Sequence, residues 1–141
     1  MSRDAKIILP AIRENLNRLI GFIVGFAKKN GIESQRIWEL ELATDEILTN
    51  IIDYAYSQKE GTIEVRCRID EDRCFLMEIH DQGEPFNPLS FPEPHIDNDI
   101  QKVQTKGFGI YLIRRLMDSM VYKREGNRNC LTLEKRSCTF R

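Results

Sequence analysis

Apolar residues recur at helical spacing in two segments near the start of the chain. The first, residues 12–29, ends at an Asn-Gly pair, a common helix C-cap, and is predicted to be a helix. The second is predicted to run from Ser34, a residue type that suits an N-cap, to about residue 56. Its core stripe is predicted to consist of Ile37, Leu40, Thr44, Ile47, Leu48 and Ile51.

Strict alternation of apolar and polar residues replaces this pattern after residue 61. Residues 62–69 and 74–81 are predicted to pair as a hairpin, and residues 121–136 form a second hairpin with its turn at 126–129. A short apolar run that ends at Pro10 is typical of an edge strand. A proline-rich loop follows the first hairpin, and residues 107–120 are predicted to form a glycine turn and a helix.

The order of these elements is strand, two helices, two strands, loop, helix and two strands. Such a chain favours an α+β fold, a two-layer α/β sandwich in which a mixed, mainly antiparallel sheet carries helices on one face. At 141 residues, the whole chain is expected to form a single domain.

Composition and charge narrow the possible functions. The hydrophobic fraction of 41%, the charged fraction of 30% and the net charge of -1 suit a globular protein and give no sign of direct nucleic-acid binding. The longest apolar run, residues 19–27, is too short to span a membrane. The N-terminus does not resemble a signal peptide, so a cytoplasmic location is expected.

The second helix carries polar residues beside its core stripe. Ala43, Glu46, Asn50 and Tyr54 form a row along one border of that stripe. On this helix alone, a solvated edge is the favoured interpretation of Glu46 and Asn50. A functional interpretation requires a second element that brings a ligand to them.

Two further segments carry groups that could bind such a ligand. Asp81 ends an apolar strand and is followed by Gly83, so a carboxylate could accept a hydrogen bond from a ligand amine where the backbone turns closely. Gly107 and Gly109 precede a helix, where backbone N–H groups and the helix dipole favour phosphate. Each motif is weak alone, and their combination in this order is much more specific.

With these motifs the chain resembles the GHKL nucleotide-binding superfamily, and within it the bacterial anti-sigma factor serine kinases of partner-switching systems. The likeness covers essentially the whole chain, and its specific blocks are ELATDEILTNIIDYAY, HDQGEPFNP, KGFGIYLIRRLMD and GNRNCLTLEK. The resemblance implies a Bergerat-type ATP-binding fold over residues 1–141, with an ATP lid at about residues 84–106.

The resemblance also implies roles for individual residues. Asn50 would hold Mg²⁺, Glu46 would be the general base that takes the proton of a substrate serine, and Asp81 would recognise the adenine amine. Gly83 would lie beside Asp81, and Thr132 on the last hairpin would assist it.

The same resemblance places the phosphate-binding turn at Gly107 and Gly109, with Phe108 and Ile110 beside them. Lys106 and Lys102 could add positive charge at the phosphates, although lysines here are more often solvated lid surface. The chain departs from many relatives at Tyr54, where they carry histidine, and at Lys106, where they carry a small residue. These two differences put the family's lid closure and nucleotide affinity in question for this chain.

The implied function is that of an ATP- and Mg²⁺-dependent protein serine kinase that acts as an anti-sigma factor. Its partners would be an anti-sigma-factor antagonist protein and a sigma factor. A homodimer would form through the N-terminal strand and first helix. One alternative is a nucleotide-binding interaction module that phosphorylates nothing, although a pure binder has no need of Glu46 as a base. Another is the catalytic half of a histidine kinase, which the E-x-x-x-N helix fits less well.

Overall fold

The computed structural model describes residues 3–56, 60–72, 74–90 and 108–135. Within them the elements follow in the order β1 (Arg3–Pro10), α1 (Leu16–Lys29), α2 (Ser34–Asn50), a π-helix (Ile51–Ala55), β2 (Thr62–Ile69), β3 (Phe75–Asp81), α3 (Phe108–Leu116), β4 (Ser119–Glu125) and β5 (Arg128–Lys135). Short 3₁₀ turns lie at Arg13–Asn15 and Pro88–Ser90. No helix in the described part of the chain is both long and apolar enough to cross a membrane.

The five strands form one sheet in the order β1-β2-β3-β5-β4, and all four pairings between described neighbours are antiparallel. Side chains of β3 alternate strictly between buried and half-buried, because successive residues of a strand point to opposite faces. The buried face packs in one apolar core with residues of α1, α2 and α3. The predicted α+β sandwich with helices on one face of a mainly antiparallel sheet is therefore confirmed.

Several predicted boundaries need correction. The first α-helix begins at Leu16 after a 3₁₀ turn, and Ser34 is the first residue of α2, so that Glu33 rather than Ser34 occupies the N-cap position. The helix α3 ends at Leu116, before the predicted residue 120. The chain leaves it because the backbone N–H of Asp118 donates to the carbonyl of Glu134 and starts the pairing of β4 with β5.

The last hairpin turn is shorter than the sequence suggested. It contains only residues 126 and 127, since β4 ends at Glu125 and β5 begins at Arg128. Gly126 has a φ of 59°, the left-handed conformation that two-residue hairpin turns require and that glycine adopts without strain.

The glycines of α1 and the glycine at the start of α3 lie in different environments. Gly21 and Gly25 of α1 invite an interpretation as packing positions, yet a Cβ atom at either would meet no described atom within 4 Å. A Cβ at Gly109 would instead lie 2.7 Å from the carbonyl oxygen of Leu42 and 3.0 Å from the Cα of Ala43. The N-terminus of α3 therefore lies directly on the backbone of α2, and Gly109 permits the contact.

We expect Gly109→Ala to lower the free energy of unfolding by about 1–3 kcal/mol, because the added methyl group forces α3 away from α2. The matched change Gly25→Ala lies on an open helix surface, and we expect it to raise stability by about 0.5–1 kcal/mol. Urea unfolding of both variants measures the two values. A Gly109→Ala protein as stable as the Gly25→Ala protein would show that the contact between the helices is not tight.

Candidate functional site

The two polar residues of α2 occupy different environments. Asn50 is only 6% exposed, and its carboxamide makes no hydrogen bond with the part of the chain that the structure describes. Glu46 is half-buried, and its Oε2 accepts a hydrogen bond of 3.2 Å from the backbone N–H of Ile110. Neither is therefore a freely solvated surface residue.

The bond between Glu46 and Ile110 joins α2 to the first turn of α3. The early N–H groups of a helix have no partner within the helix and carry partial positive charge, so a carboxylate is a favourable acceptor there. Glu46 also lies against Gly109, whose Cβ would stand 3.0 Å from the Cβ of Glu46. The carboxylate is thus held at the predicted phosphate-binding end of α3.

A π-helix follows Asn50 and brings the end of this helical segment to the end of β3. The carbonyl oxygen of Ala55 accepts a hydrogen bond of 2.6 Å from the N–H of Glu84. A Cβ at Gly83 would lie 2.2 Å from that same oxygen, so no other residue type fits. The predicted close turn at Gly83 is present, and Ala55 is the residue it approaches.

Tyr56 secures the same junction with its hydroxyl group. The hydroxyl donates to the carbonyl of Thr62 and accepts from the N–H of Gln82, each at 2.6 Å. Burial raises the pKa of Tyr56, so the hydroxyl remains a donor at neutral pH. The end of the π-helix is thereby fixed to both β2 and the loop after β3.

Asp81 is buried at the end of β3, with 4% of its surface exposed. Its Oδ1 accepts two hydrogen bonds, 2.9 Å from the N–H of Gly83 and 2.7 Å from Nδ2 of Asn129. Oδ2 accepts none from the described residues, which leaves this atom for a ligand donor. Burial raises the pKa of the carboxyl, while the bonds from Asn129 and Gly83 and the charge of Arg124 oppose that shift.

The structure does not bring Thr132 to Asp81, so this expectation is wrong. Thr132 pairs with Glu78, three residues from Asp81, and therefore lies on the opposite face of the sheet. The residue opposite Asp81 is Asn129. The sequence held a signal for this: Leu131 and Leu133 are core residues, and strand alternation then turns Asn129 inward and Thr132 outward.

The predicted phosphate-binding turn is only partly described. Lys102, Lys106 and Gly107 lie outside the described residues, and Phe108 is described only as the first residue of α3. The side chain of Ile110 is buried in the core, with 1% exposed. The role of this turn in binding phosphate stays a prediction, and it concerns backbone groups at the start of α3.

The first part of the predicted lid is anchored to the body. The ring of Phe86 lies 5.8 Å from that of Tyr54, and a guanidinium N–H of Arg114 donates to the carbonyl of Leu89. Arg124 donates to the carbonyl of Gly83 at 2.7 Å. Residues 84–90 are thus held by helices and strands, and residues 91–106 lie outside the described residues.

Comparison with known proteins identifies the fold and the family. The family model for the histidine kinase-like ATPase domain matches residues 9–135. A solved histidine kinase domain of the blue-light activated kinase EL346 from Erythrobacter litoralis superposes with a TM-score of 0.54 over 87% of this chain and 59% of that chain. At 14% sequence identity this likeness shows the fold alone.

Two curated relatives are named serine-protein kinase RsbW. The protein from Oceanobacillus iheyensis is 33% identical over 101 residues, which cover 68% of this chain and 63% of the relative, so less than two thirds of that relative is matched. The protein from Bacillus cereus is 31% identical over 126 residues, covering 85% of this chain and 78% of the relative. The chain therefore belongs to the family of histidine kinase-like ATPase domains, together with these serine-protein kinases.

Proposed function

We propose that this protein is a protein serine kinase that uses Mg-ATP. The observation that carries the proposal is the placement of Glu46 and Asn50 one turn apart on α2, with Asn50 joined through the π-helix to the loop that follows Asp81. Relatives named as serine-protein kinases support the same reaction. Phosphoryl transfer depends mainly on positioning and charge neutralisation, which a rigid helix border can provide.

Asn50 fits the role of a magnesium ligand. The residue is only 6% exposed, its carboxamide has no hydrogen-bond partner among the described residues, and a neutral amide oxygen is a ligand type that Mg²⁺ accepts. When bound, Mg²⁺ supplies positive charge that offsets the negative charge of the ATP phosphates. The protein's own contribution is to hold the amide oxygen at a fixed position on α2.

Glu46 would accept the proton of the substrate serine. The serine oxygen forms the new bond to the γ-phosphorus, the bond from that phosphorus to ADP breaks, and the serine proton passes to the Glu46 carboxylate. The hydrogen bond from Ile110 orients the carboxylate without transferring a proton to it. The base therefore stays beside the end of α3 where phosphate is expected.

Asp81 would recognise the adenine amine through Oδ2, because Oδ1 is occupied by Gly83 and Asn129. The close contact of Gly83 with Ala55 would leave backbone, rather than side chain, beside the purine ring. A buried carboxylate is a selective acceptor for an N–H donor, since an unmatched partner leaves it without a hydrogen bond.

The biological partners are proposed from the resemblance. The kinase would bind a sigma factor and phosphorylate a serine of its antagonist protein, and it would act as a homodimer in the cytoplasm. A non-catalytic nucleotide-binding module of such a system is the second candidate. The bond between Glu46 and Ile110 favours it in one respect, because it gives Glu46 a structural reason to be present.

The change Glu46→Gln separates these two candidates. Glutamine retains an oxygen that can accept from Ile110 but cannot act as the base, so we expect phosphotransfer to fall about a hundredfold or more with ATP affinity nearly unchanged. Transfer of labelled phosphate to the antagonist protein, with slow ATP hydrolysis as a second readout, measures the loss.

Glu41→Gln is the matched control, because Glu41 is an exposed carboxylate on the same helix. We expect it to retain normal transfer. Full activity of Glu46→Gln would exclude Glu46 as the base, and loss of ATP binding would show that its role is structural.

Asn50→Ala tests the magnesium ligand. We expect the variant to bind ATP with the same affinity in magnesium and in a chelator, whereas magnesium should tighten binding by the wild type. Calorimetric titrations under both conditions measure the difference, and Thr49→Ala serves as the neighbouring control. A magnesium effect that survives in a folded Asn50→Ala protein would refute the assignment.

We expect Asp81→Asn to weaken ATP binding and to increase the stability of the folded protein relative to the wild type. The pKa of Asp81 is raised by burial from its ordinary 3.8, so the folded state holds a proton more tightly than the unfolded state. Wild-type stability contributed by this group is present at low pH and is lost as pH rises through the folded pKa. We therefore expect the stability of the variant relative to the wild type to increase as the pH rises from about 4 through the folded pKa of Asp81.

The same variant should bind ATP at least about tenfold more weakly, since an amide N–H would face the adenine amine. Inosine triphosphate, whose base carries a carbonyl in place of that amine, should lose less affinity. Urea unfolding across pH and calorimetry with both nucleotides measure the two effects. Equal losses for the two nucleotides would argue against recognition of the amine by Asp81.

A further inference from the structure

Asn129 is a buried polar residue on the core face of β5, with 3% of its surface exposed. Its Nδ2 donates to Oδ1 of Asp81 at 2.7 Å and to the carbonyl of Glu84 at 2.8 Å. Its Oδ1 accepts from the N–H of Phe86 at 3.2 Å and from the hydroxyl of Tyr122. A carboxamide has two N–H donors and one acceptor oxygen with two lone pairs, so its hydrogen-bonding capacity is fully used.

These partners fix the orientation of the amide. The carbonyl of Glu84 can only accept and the N–H of Phe86 can only donate, so the Nδ2 group must face Glu84 and the Oδ1 atom must face Phe86. The second N–H of Nδ2 then points at Asp81, and the reverse orientation would place an oxygen against Oδ1 of that carboxyl. Asn129 therefore acts on Asp81 only as a donor.

The consequence for Asp81 is an asymmetric carboxyl group. Oδ1 accepts from both Asn129 and Gly83, so any proton that the group carries must reside on Oδ2. Oδ2 is also the oxygen that has no donor among the described residues. Whether Oδ2 carries a proton therefore decides whether Asp81 selects a ligand amine or a ligand carbonyl.

We propose that Asn129 is a positioning and specificity-determining residue, which holds Asp81 as a carboxylate with Oδ2 turned to the ligand and so selects a purine bearing an exocyclic amine. The proposal rests on the proposed nucleotide site. Asn129 itself has no free hydrogen-bonding group for the base, and it acts through Asp81. Tyr122 supports it from β4 by donating to the oxygen of its amide.

The charges around Asp81 agree with this role. Arg124 on β4 favours the ionised carboxyl. His80 on β3 does so only when protonated, and burial lowers the pKa of His80. The hydroxyl of Tyr56 and the thiol of Cys130 would oppose ionisation of Asp81 only if they became ionised. Burial raises the pKa of Asp81, and the bonds from Asn129 and Gly83 are the main opposing influence. Without Asn129, a protonated Oδ2 could donate to a carbonyl as well as accept from an amine, and discrimination would be lost.

The test compares the affinities of ATP and inosine triphosphate, both with magnesium, for the wild type and for Asn129→Leu. We expect the ratio of the two affinities to fall about tenfold in the variant, mainly through weaker ATP binding. A merely structural role would weaken both nucleotides by the same factor, and that result would overturn the proposal.

Two further variants make the comparison secure. Tyr122→Phe keeps Asn129 and the aromatic ring but removes one donor to the amide, and we expect a smaller fall of the ratio in the same direction. This variant decides the question if Asn129→Leu does not fold, since an unchanged ratio would then overturn the proposal. Thr132→Val, on the outer face of the same strand, should leave the ratio unchanged, and a fall there instead would contradict the assignment to Asn129.

The outcomes also separate this inference from the proposed function. A wild type that prefers ATP, together with an Asn129→Leu protein of unchanged preference, would overturn only the role of Asn129. A wild type that binds neither triphosphate would overturn the nucleotide site itself, and with it this proposal.

Discussion

The contact between Gly83 and the carbonyl of Ala55 is the constraint on which the rest of the candidate site depends. It joins the end of a core helix to the end of a core strand, which are otherwise separate parts of the sandwich. Asn50 lies just before this junction on one side, and Asp81 lies just before it on the other. Because a Cβ cannot fit there, the spacing between the two residues is set by backbone and is independent of side-chain rotamers.

Two adjacent faces of α2 have different roles, one in the core and the other in the candidate site. Its buried stripe forms part of the core, while Glu46 and Asn50 lie at the border and α3 rests directly on its backbone at Gly109. Rigidity is useful for a group that must meet a phosphate or a metal at a fixed distance. As a result, α2 contributes to both the candidate site and the core. Only substitutions that preserve the shape of a side chain can therefore test the proposed chemistry without also changing stability.

Much of this arrangement could be predicted from the sequence, because the informative patterns are local. Helical spacing gave α2 and its polar row, and alternation gave the first hairpin with Asp81 at its end. The short motif around Thr132 is misleading, because strand alternation through the buried Leu131 and Leu133 turns Thr132 outward. The hydrogen-bond partners of Asn129 have no such local signal, because three of the four lie within residues 81–86 and the fourth is Tyr122.

Other features had no local signal. Nothing in the residues 51–55 distinguishes a π-helix from a continuing α-helix, since the difference arises from contacts made at Ala55 and Tyr56. The partner of Gly83 likewise lies 28 positions earlier in the chain and becomes visible only once the sheet and helices are assembled. The sequence could indicate that a glycine was needed without indicating what it must approach.

The π-helix also has a consequence for how this protein can change over evolution. A π-helix amounts to one residue more than an α-helix would place in the same turn, and one residue corresponds to about 100° of rotation. The wider turn of Ile51–Ala55 takes up this extra residue, so that Ala55 and Tyr56 reach their partners. In a regular α-helix of the same length both residues would be rotated away from those partners. A substitution that favours a regular α-helix over residues 51–55 would therefore disturb the junction even if every residue of the candidate site were retained, so selection should act on the local helix geometry as well as on the site residues.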